Sequence, residues 1–244
     1  VSNCVGITAP SGGLGLTLVR SDGRRQVALA EPRWSTIIPS VADIRRHGRP
    51  RPGLPAEVNA WRRSNLPNLW RGARRVLVAR ALKLPHFYGQ LWLSVYRGDG
   101  EVVDLGLASL RVVTTVGVKF ICDDFNAGGA EVSNMKFHAF GTGTTAEAVG
   151  DTALVTELTT QYAVDNTRPT GSQASATVST NATYTTVATL SPDSGGTIAV
   201  TEHGIFSASS STTLLDRSVF SAVNLVAGSD SLQATYVLTM NSGS

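Results

Sequence analysis

Leu232-Gln-Ala-Thr-Tyr-Val-Leu-Thr-Met240 sets Leu, Ala, Tyr, Leu and Met at every second position, with Gln, Thr, Val and Thr between them. Successive side chains of a strand point to opposite faces, so this run predicts a β-strand with one apolar and one wet face. Tyr184-Thr-Thr-Val-Ala-Thr-Leu190 follows a similar pattern. Outward from these two, further β-rich runs occupy 75–80, 90–96, 101–105, 111–115, 116–125, 134–140, 152–158, 172–180, 197–206 and 214–225. Turn clusters separate them at 97–100 (ArgGlyAspGly), 126–129 (AsnAlaGlyGly), 141–145 (GlyThrGlyThrThr), 165–171 (AspAsnThrArgProThrGly), 192–196 (ProAspSerGlyGly) and 227–230 (AlaGlySerAsp). Asp-Gly supplies the positive φ of a tight hairpin, so 97–100 predicts a turn between two paired strands. Many short strands between such turns predict an all-β fold, an antiparallel β-sandwich of jelly-roll or Ig-like type.

The first part of the chain reads differently. Residues 1–72 are rich in Pro, Gly and Arg, with no sustained hydrophobic period, and are expected to form an extended, mostly irregular Arg-rich N-terminal arm. One short helix is expected across 55–63, with Pro55 near its first turn. The sandwich is then assigned to 73–244, with the strands of 73–111 joining arm to core. Charge divides along similar lines. Residues 1–100 hold 16 Lys and Arg against 5 Asp and Glu, a balance of +11, whereas residues 101–244 hold 5 against 13, a balance of −8. Guanidinium binds carboxylate and phosphate in bidentate fashion, so the arm seeks an acidic surface on a neighbouring subunit or on this chain's own second half.

Cys4 and Cys122 lie too far apart in sequence to suggest a framework or a metal motif, and Cys122 is expected to be a buried thiol. No apolar run is long enough to span a bilayer, and residues 1–20 lack the basic and apolar regions of a signal peptide. Synthesis in a cytoplasm without a signal peptide, and no membrane partner, are the expectations.

Candidates for chemistry are few. The Gly141-Thr-Gly-Thr-Thr145 segment resembles a phosphate loop but lacks its Lys and a following helix, which favours a turn with exposed hydroxyls. His138 and His203, with Asp151 or Glu202, have the residue types for a metal or acid–base site. Adjacent strand positions point apart, however, so Glu202 and His203 cannot grip one ion together. Asp123, Asp124 and Asn126 lack the spacing of a calcium loop. Asp216 and Arg217 are expected to form ion pairs with other neighbours, and no nucleophile signature appears. The expectation is therefore not an enzyme: no catalytic residue, no cofactor and no metal. Arg45, Arg46, Arg62, Arg63, Arg74 and Arg75 beside Trp34, Trp61 and Trp70 have the composition that holds single strands. The acidic second half would repel phosphate, so nucleic acid is not expected as a partner.

Five segments recur in order: 134–158, opening AsnMetLysPheHisAlaPheGlyThrGlyThrThr, 165–171 (AspAsnThrArgProThrGly), 201–207 (ThrGluHisGlyIlePheSer), 214–221 (LeuLeuAspArgSerValPheSer) and 230–239 (AspSerLeuGlnAlaThrTyrValLeuThr). Through them the chain from about Gly117, a little more than half of its length, resembles a family of tailed-bacteriophage virion proteins. The resemblance implies a virion component without known activity.

Together these readings lead to a phage structural protein, a capsid decoration (cement) protein that binds the outside of the major capsid shell and stabilises it. Trp61, Arg62, Arg63, Trp70, Arg74 and Arg75 are the expected contacts with the major capsid protein, being residue types that dominate interface hot spots. Self-association, a trimer at local threefold axes for example, fits such a role. The alternatives are a tail, fibre or adaptor subunit, and a receptor- or glycan-binding module using the loops at 126–129, 141–145 and 192–196.

Overall fold

A computed structural model describes residues 14–19, 25–30, 41, 44–45, 49, 51–82, 86–124, 131–163, 165–178, 181–210 and 212–241. Ten strands are described: β1 (Leu14–Val19), β2 (Arg25–Ala30), β3 (His86–Tyr96), β4 (Val102–Val113), β5 (Phe137–Gly141), β6 (Ser172–Val178), β7 (Asn181–Leu190), β8 (Thr197–Phe206), β9 (Leu214–Val226) and β10 (Ser231–Asn241). Two helices accompany them, α1 (Ala56–Ala81) and α2 (Thr115–Asp124), with a single 3-10 turn at Val132–Asn134.

The strands run in the order β5-β8-β9-β4-β3-β10-β7-β6. β4 belongs to both halves of that path. From Val102 to Arg111 it pairs with β3, and at Val112 and Val113 it pairs with Arg217 and Asp216 of β9. Two register shifts interrupt the β3–β4 ladder, between Leu91 and Trp92 and between Leu93 and Ser94, so β4 carries extra residues there. Such bulges bend a strand and increase its twist. Gly106, at φ +77°, supplies the left-handed residue that this irregularity requires. The bend lets the two halves face each other. One apolar cluster is shared by Leu91, Leu93 and Val95 of β3, Val200 of β8, Phe220, Val223 and Leu225 of β9, and Leu232 and Ala234 of β10. The fold is all-β and sandwich-like.

The β3–β4 connection is the expected hairpin turn, with Gly100 N donating to Arg97 O at 2.8 Å and φ +86° at Gly100. The runs at 197–206, 214–225 and 231–240 are strands within a residue of the expected bounds. β7 has its wet face at Thr189. β10 does not: Thr235, Val237 and Thr239 are buried as well as Leu232, Ala234, Tyr236 and Leu238. It lies between β3 and β7, where neighbouring side chains on both sides shut out solvent.

Two expected strands are helices. The run at 75–80 lies inside α1, which extends the short helix expected at 55–63 to 26 residues and runs through the assigned boundary at 72. Val58, Arg62, Asn65, Leu69, Ala73 and Val76 are all buried, at helical spacing, and form its inner face. Gly72 allows the close approach to β4, because a Cβ there would collide with the Leu110 carbonyl. The run at 116–125 is α2. Thr114 caps it, its Oγ accepting from Gly117 N at 3.0 Å while donating to Leu214 O at 2.6 Å. Residues 152–158 form no strand and touch β5 through one isolated bridge, Gly141 to Glu157.

Within the segment read as an irregular arm, β1 and β2 pair antiparallel, and β2 meets β4 in parallel at Gln26–Val102 and Val27–Val103. Most of residues 1–50 lies outside the described residues.

Candidate functional site

The chemistry-bearing side chains of the second half gather where β4 passes to β9. Asp216 and Arg217 are neighbours on β9 and point to opposite faces. Asp216 meets Arg111 of β4 at 2.6 Å, with both side chains 0% exposed. Arg111 also donates to His203 O at 2.8 Å, and its guanidinium carbon lies 5.0 Å from the Tyr236 ring centroid. Burial pushes the Asp216 carboxyl up, opposed by the guanidinium beside it, and burial likewise lowers Arg111. Arg217, on the other face, pairs with Glu202 at 2.8 Å and with Asp151 at 3.0 Å. The expectation of ion pairs with other neighbours holds for both residues.

His138 and His203 do come together. His138 Nδ1 lies 2.9 Å from His203 Nε2, and His138 Nε2 lies 3.1 Å from Thr186 Oγ. Phe140 meets the His203 ring edge-on at 4.8 Å between centroids. Burial, reinforced by the Arg111 charge, lowers His138 to about 3 and moves His203 well below its usual range. Both rings are therefore neutral near pH 7. The acids that would complete a metal or acid–base site, Asp151 and Glu202, are bound to Arg217 on the far face. Among the described residues no group of three His, Cys, Asp or Glu is placed to hold a metal.

The loop that resembles a phosphate cradle holds a carboxylate of the chain itself. Glu202 accepts from Gly143 N at 3.1 Å, Val155 N at 3.1 Å and Thr156 N at 2.7 Å, while Arg217 donates to Thr145 O at 3.0 Å. These bonds fasten the 141–156 loop onto β8 and β9. Next to it, Arg168 grips Glu157 through two bonds, at 2.6 and 2.8 Å, and stacks on Phe206 at 3.6 Å. Asp123 pairs with Lys119, and Asp124 accepts from Val132 N at 3.3 Å, while Asn126 lies outside the described residues. Cys122 is exposed on α2, not buried as expected, because α2 turns its other side toward β9.

The six expected contact residues divide by direction. Trp61 and Arg62 face inward: Trp61 Nε1 donates to Ser221 O at 2.9 Å, and Arg62 is fully buried. Arg62 presents no surface, and Trp61 is half-buried, because α1 lies along the sandwich. Asn65 strengthens that seat, donating to Ala108 O at 2.6 Å and accepting from Ser221 N at 2.9 Å. Arg63 and Arg74 are exposed, Trp70 is half-buried, and the Arg75 side chain lies outside the described residues. Positions 63, 67, 70, 74 and 78 recur at helical spacing on the side opposite the buried face. They set Arg63, Pro67, Arg74 and Val78 in one outward stripe, with Trp70 at its margin, half-buried against the cluster of Ile44, Leu69, Ala73, Leu107 and Leu110, and Pro67, Trp70, Arg71 and Arg74 line a shallow hollow there. Sequence reasoning missed Arg71, whose two bonds to Glu147, at 3.1 and 3.0 Å, join the basic segment to the acidic half. Of the three loops named for glycan binding, 126–129 lies outside the described residues, 141–145 is fastened as above, and 193–196 is exposed.

No helix among the described residues is long and apolar enough to cross a membrane. No family model, curated protein or solved structure matches the chain.

Proposed function

We propose that the chain is a structural subunit of a tailed-bacteriophage virion, a decoration (cement) protein that binds the outside of the major capsid shell. The observation that carries this reading is the outward stripe of α1. Arg63, Trp70 and Arg74 have the chemistry of an interface anchor, an amphipathic ring flanked by guanidinium groups. They stand on a helix fixed to the sandwich through Trp61, Asn65 and the Arg71–Glu147 pair. A rigid platform loses little entropy when it docks, so its contacts translate more fully into affinity. Coat-protein carboxylates are the expected counterparts of the two arginines.

Two further points support the reading. His138, His203, Glu202, Asp216 and Arg217, the groups best suited to chemistry, are buried and engaged in holding strands and loops. The segments between 134 and 239 whose sequence suggests a virion protein span β5 to β10 and their connections. The test is stoichiometry in purified particles. A decoration protein is present at a copy number comparable with that of the coat protein, whereas a small fraction of it would favour a tail or fibre subunit. Absence from particles would end the virion reading altogether.

A further inference from the structure

The two ends of the strand path are treated differently. At one end, the outer edge of β5 is closed by local chain: His138 N donates to Pro169 O, Leu158 N to Phe140 O and Thr142 N to Thr156 O. With Gly171 N donating to Lys136 O, these bonds make up the isolated bridges Phe137–Thr170 and Gly141–Glu157. At the other end β6 pairs with β7 on one side, and among the described residues no strand pairs with its other side. Every residue from Ser172 to Thr177 is exposed. An open strand leaves alternate N–H and C=O groups aimed outward, and proteins that stay monomeric protect such edges with charge, Pro or a bulge. Ser172-Gln-Ala-Ser-Ala-Thr-Val178 has no charged residue and no Pro, and its ladder with β7 runs without a register shift.

We infer that the β6 edge is a self-association surface, on which a second copy of this chain adds its own β6 antiparallel about a twofold axis through Ser175. That register pairs all seven residues. Ser175 meets its counterpart, Ala174 meets Ala176 in both directions, and Gln173 meets Thr177. Nothing bulky or like-charged is opposed. The residues that meet across that axis are uncharged and mostly small on both sides, so the edge is complementary to a second copy of itself, as an isologous interface must be. The joined sheet would continue β3-β10-β7-β6 into the same series of the partner.

The inference concerns the chain alone in solution and stands apart from the virion reading. Sedimentation equilibrium over a dilution series, on the full chain, tests it with two double variants. Ala174→Lys with Ala176→Lys sets lysine against lysine twice across the axis, while Ala174→Lys with Ala176→Glu sets lysine against glutamate twice. Both positions are exposed, so folding, followed by circular dichroism, should be unchanged in each. The unmodified chain is expected to approach twice its 25.7 kDa mass as concentration rises. The lysine–lysine variant should dimerise more weakly by about tenfold or more, and the lysine–glutamate variant should keep the dimer. A chain that remains monomeric overturns the inference. So does any dimer or trimer that tolerates the paired lysines, or an association lost equally in both variants.

Discussion

Arg111 and Asp216 meet at 2.6 Å with no solvent on either side chain, at the place where β4 passes from β3 to β9. The pair joins the two halves of the sandwich at the one strand they share. Removing one partner of a buried pair leaves an uncompensated charge, so Asp216→Asn should cost about 3–5 kcal/mol of unfolding free energy. Replacing both residues with apolar ones, Arg111→Met with Asp216→Leu, should recover most of that loss. Denaturant unfolding of the three proteins gives the comparison.

The buried histidines make stability depend on pH. Their folded-state values lie below the unfolded one near 6.5, so the unfolded chain binds more protons below that pH. Stability from this source is full above about pH 6.5 and falls as pH drops toward 3, at up to about 1.4 kcal/mol per pH unit for each histidine. Asp216, raised by burial, opposes the trend at the acid end. Unfolding measured between neutral and mildly acid pH should show the decline, and His203→Asn should flatten it.

The link between Arg217 and Glu202 fastens the 141–156 loop. Glu202→Gln should weaken the bonds to the amides of Gly143, Val155 and Thr156. Hydrogen exchange at those three amides should accelerate, with exchange in β3 and β10 little changed. Uniform acceleration across the whole sheet would mean that the link stabilises the fold at large.

Gly72 sets the seat of α1. Gly72→Val should force the helix away from Leu110 and strain the bond from Trp61 to Ser221. A loss of about 1–3 kcal/mol is expected, the usual cost of overpacking, together with a shift in tryptophan fluorescence.

The parts of this fold that are legible in sequence are those set by local signals. β8, β9 and β10 are bounded by Gly- and Asp-rich turns and are long enough for their patterns to stand out. The continuation of α1 beyond residue 63 is hidden because Val76-Leu-Val78 reads as a strand in isolation, and because Pro67 and the arginines mask a buried face spread over nearly twenty residues. α2 depends on a cap, Thr114, that is also bonded to a strand about a hundred residues later. Direction was the harder matter. Alternation correctly separates Glu202 from His203, and Asp216 and Arg217 do pair elsewhere, yet the partners lie at Arg111, His138 and Asp151, which only tertiary pairing brings close. For the same reason the six contact residues were expected to act together, and α1 turns two of them into the sandwich.

The central claim is that α1's outward stripe binds the capsid shell. Its most direct test is the binding of the full chain to purified coat shells of the tailed phage proposed to carry it, comparing the unmodified protein with Arg63→Ala, Trp70→Ala and Arg74→Ala combined. Arg63 and Arg74 are exposed, whereas Trp70 packs partly against the cluster around Leu69 and Leu110, so the fold of the variant is checked by circular dichroism and the Arg63→Ala, Arg74→Ala double variant is measured beside it. The account predicts a loss of affinity of about thirtyfold or more, the effect of removing hot-spot anchors. Binding that is unchanged in the folded triple variant would contradict it.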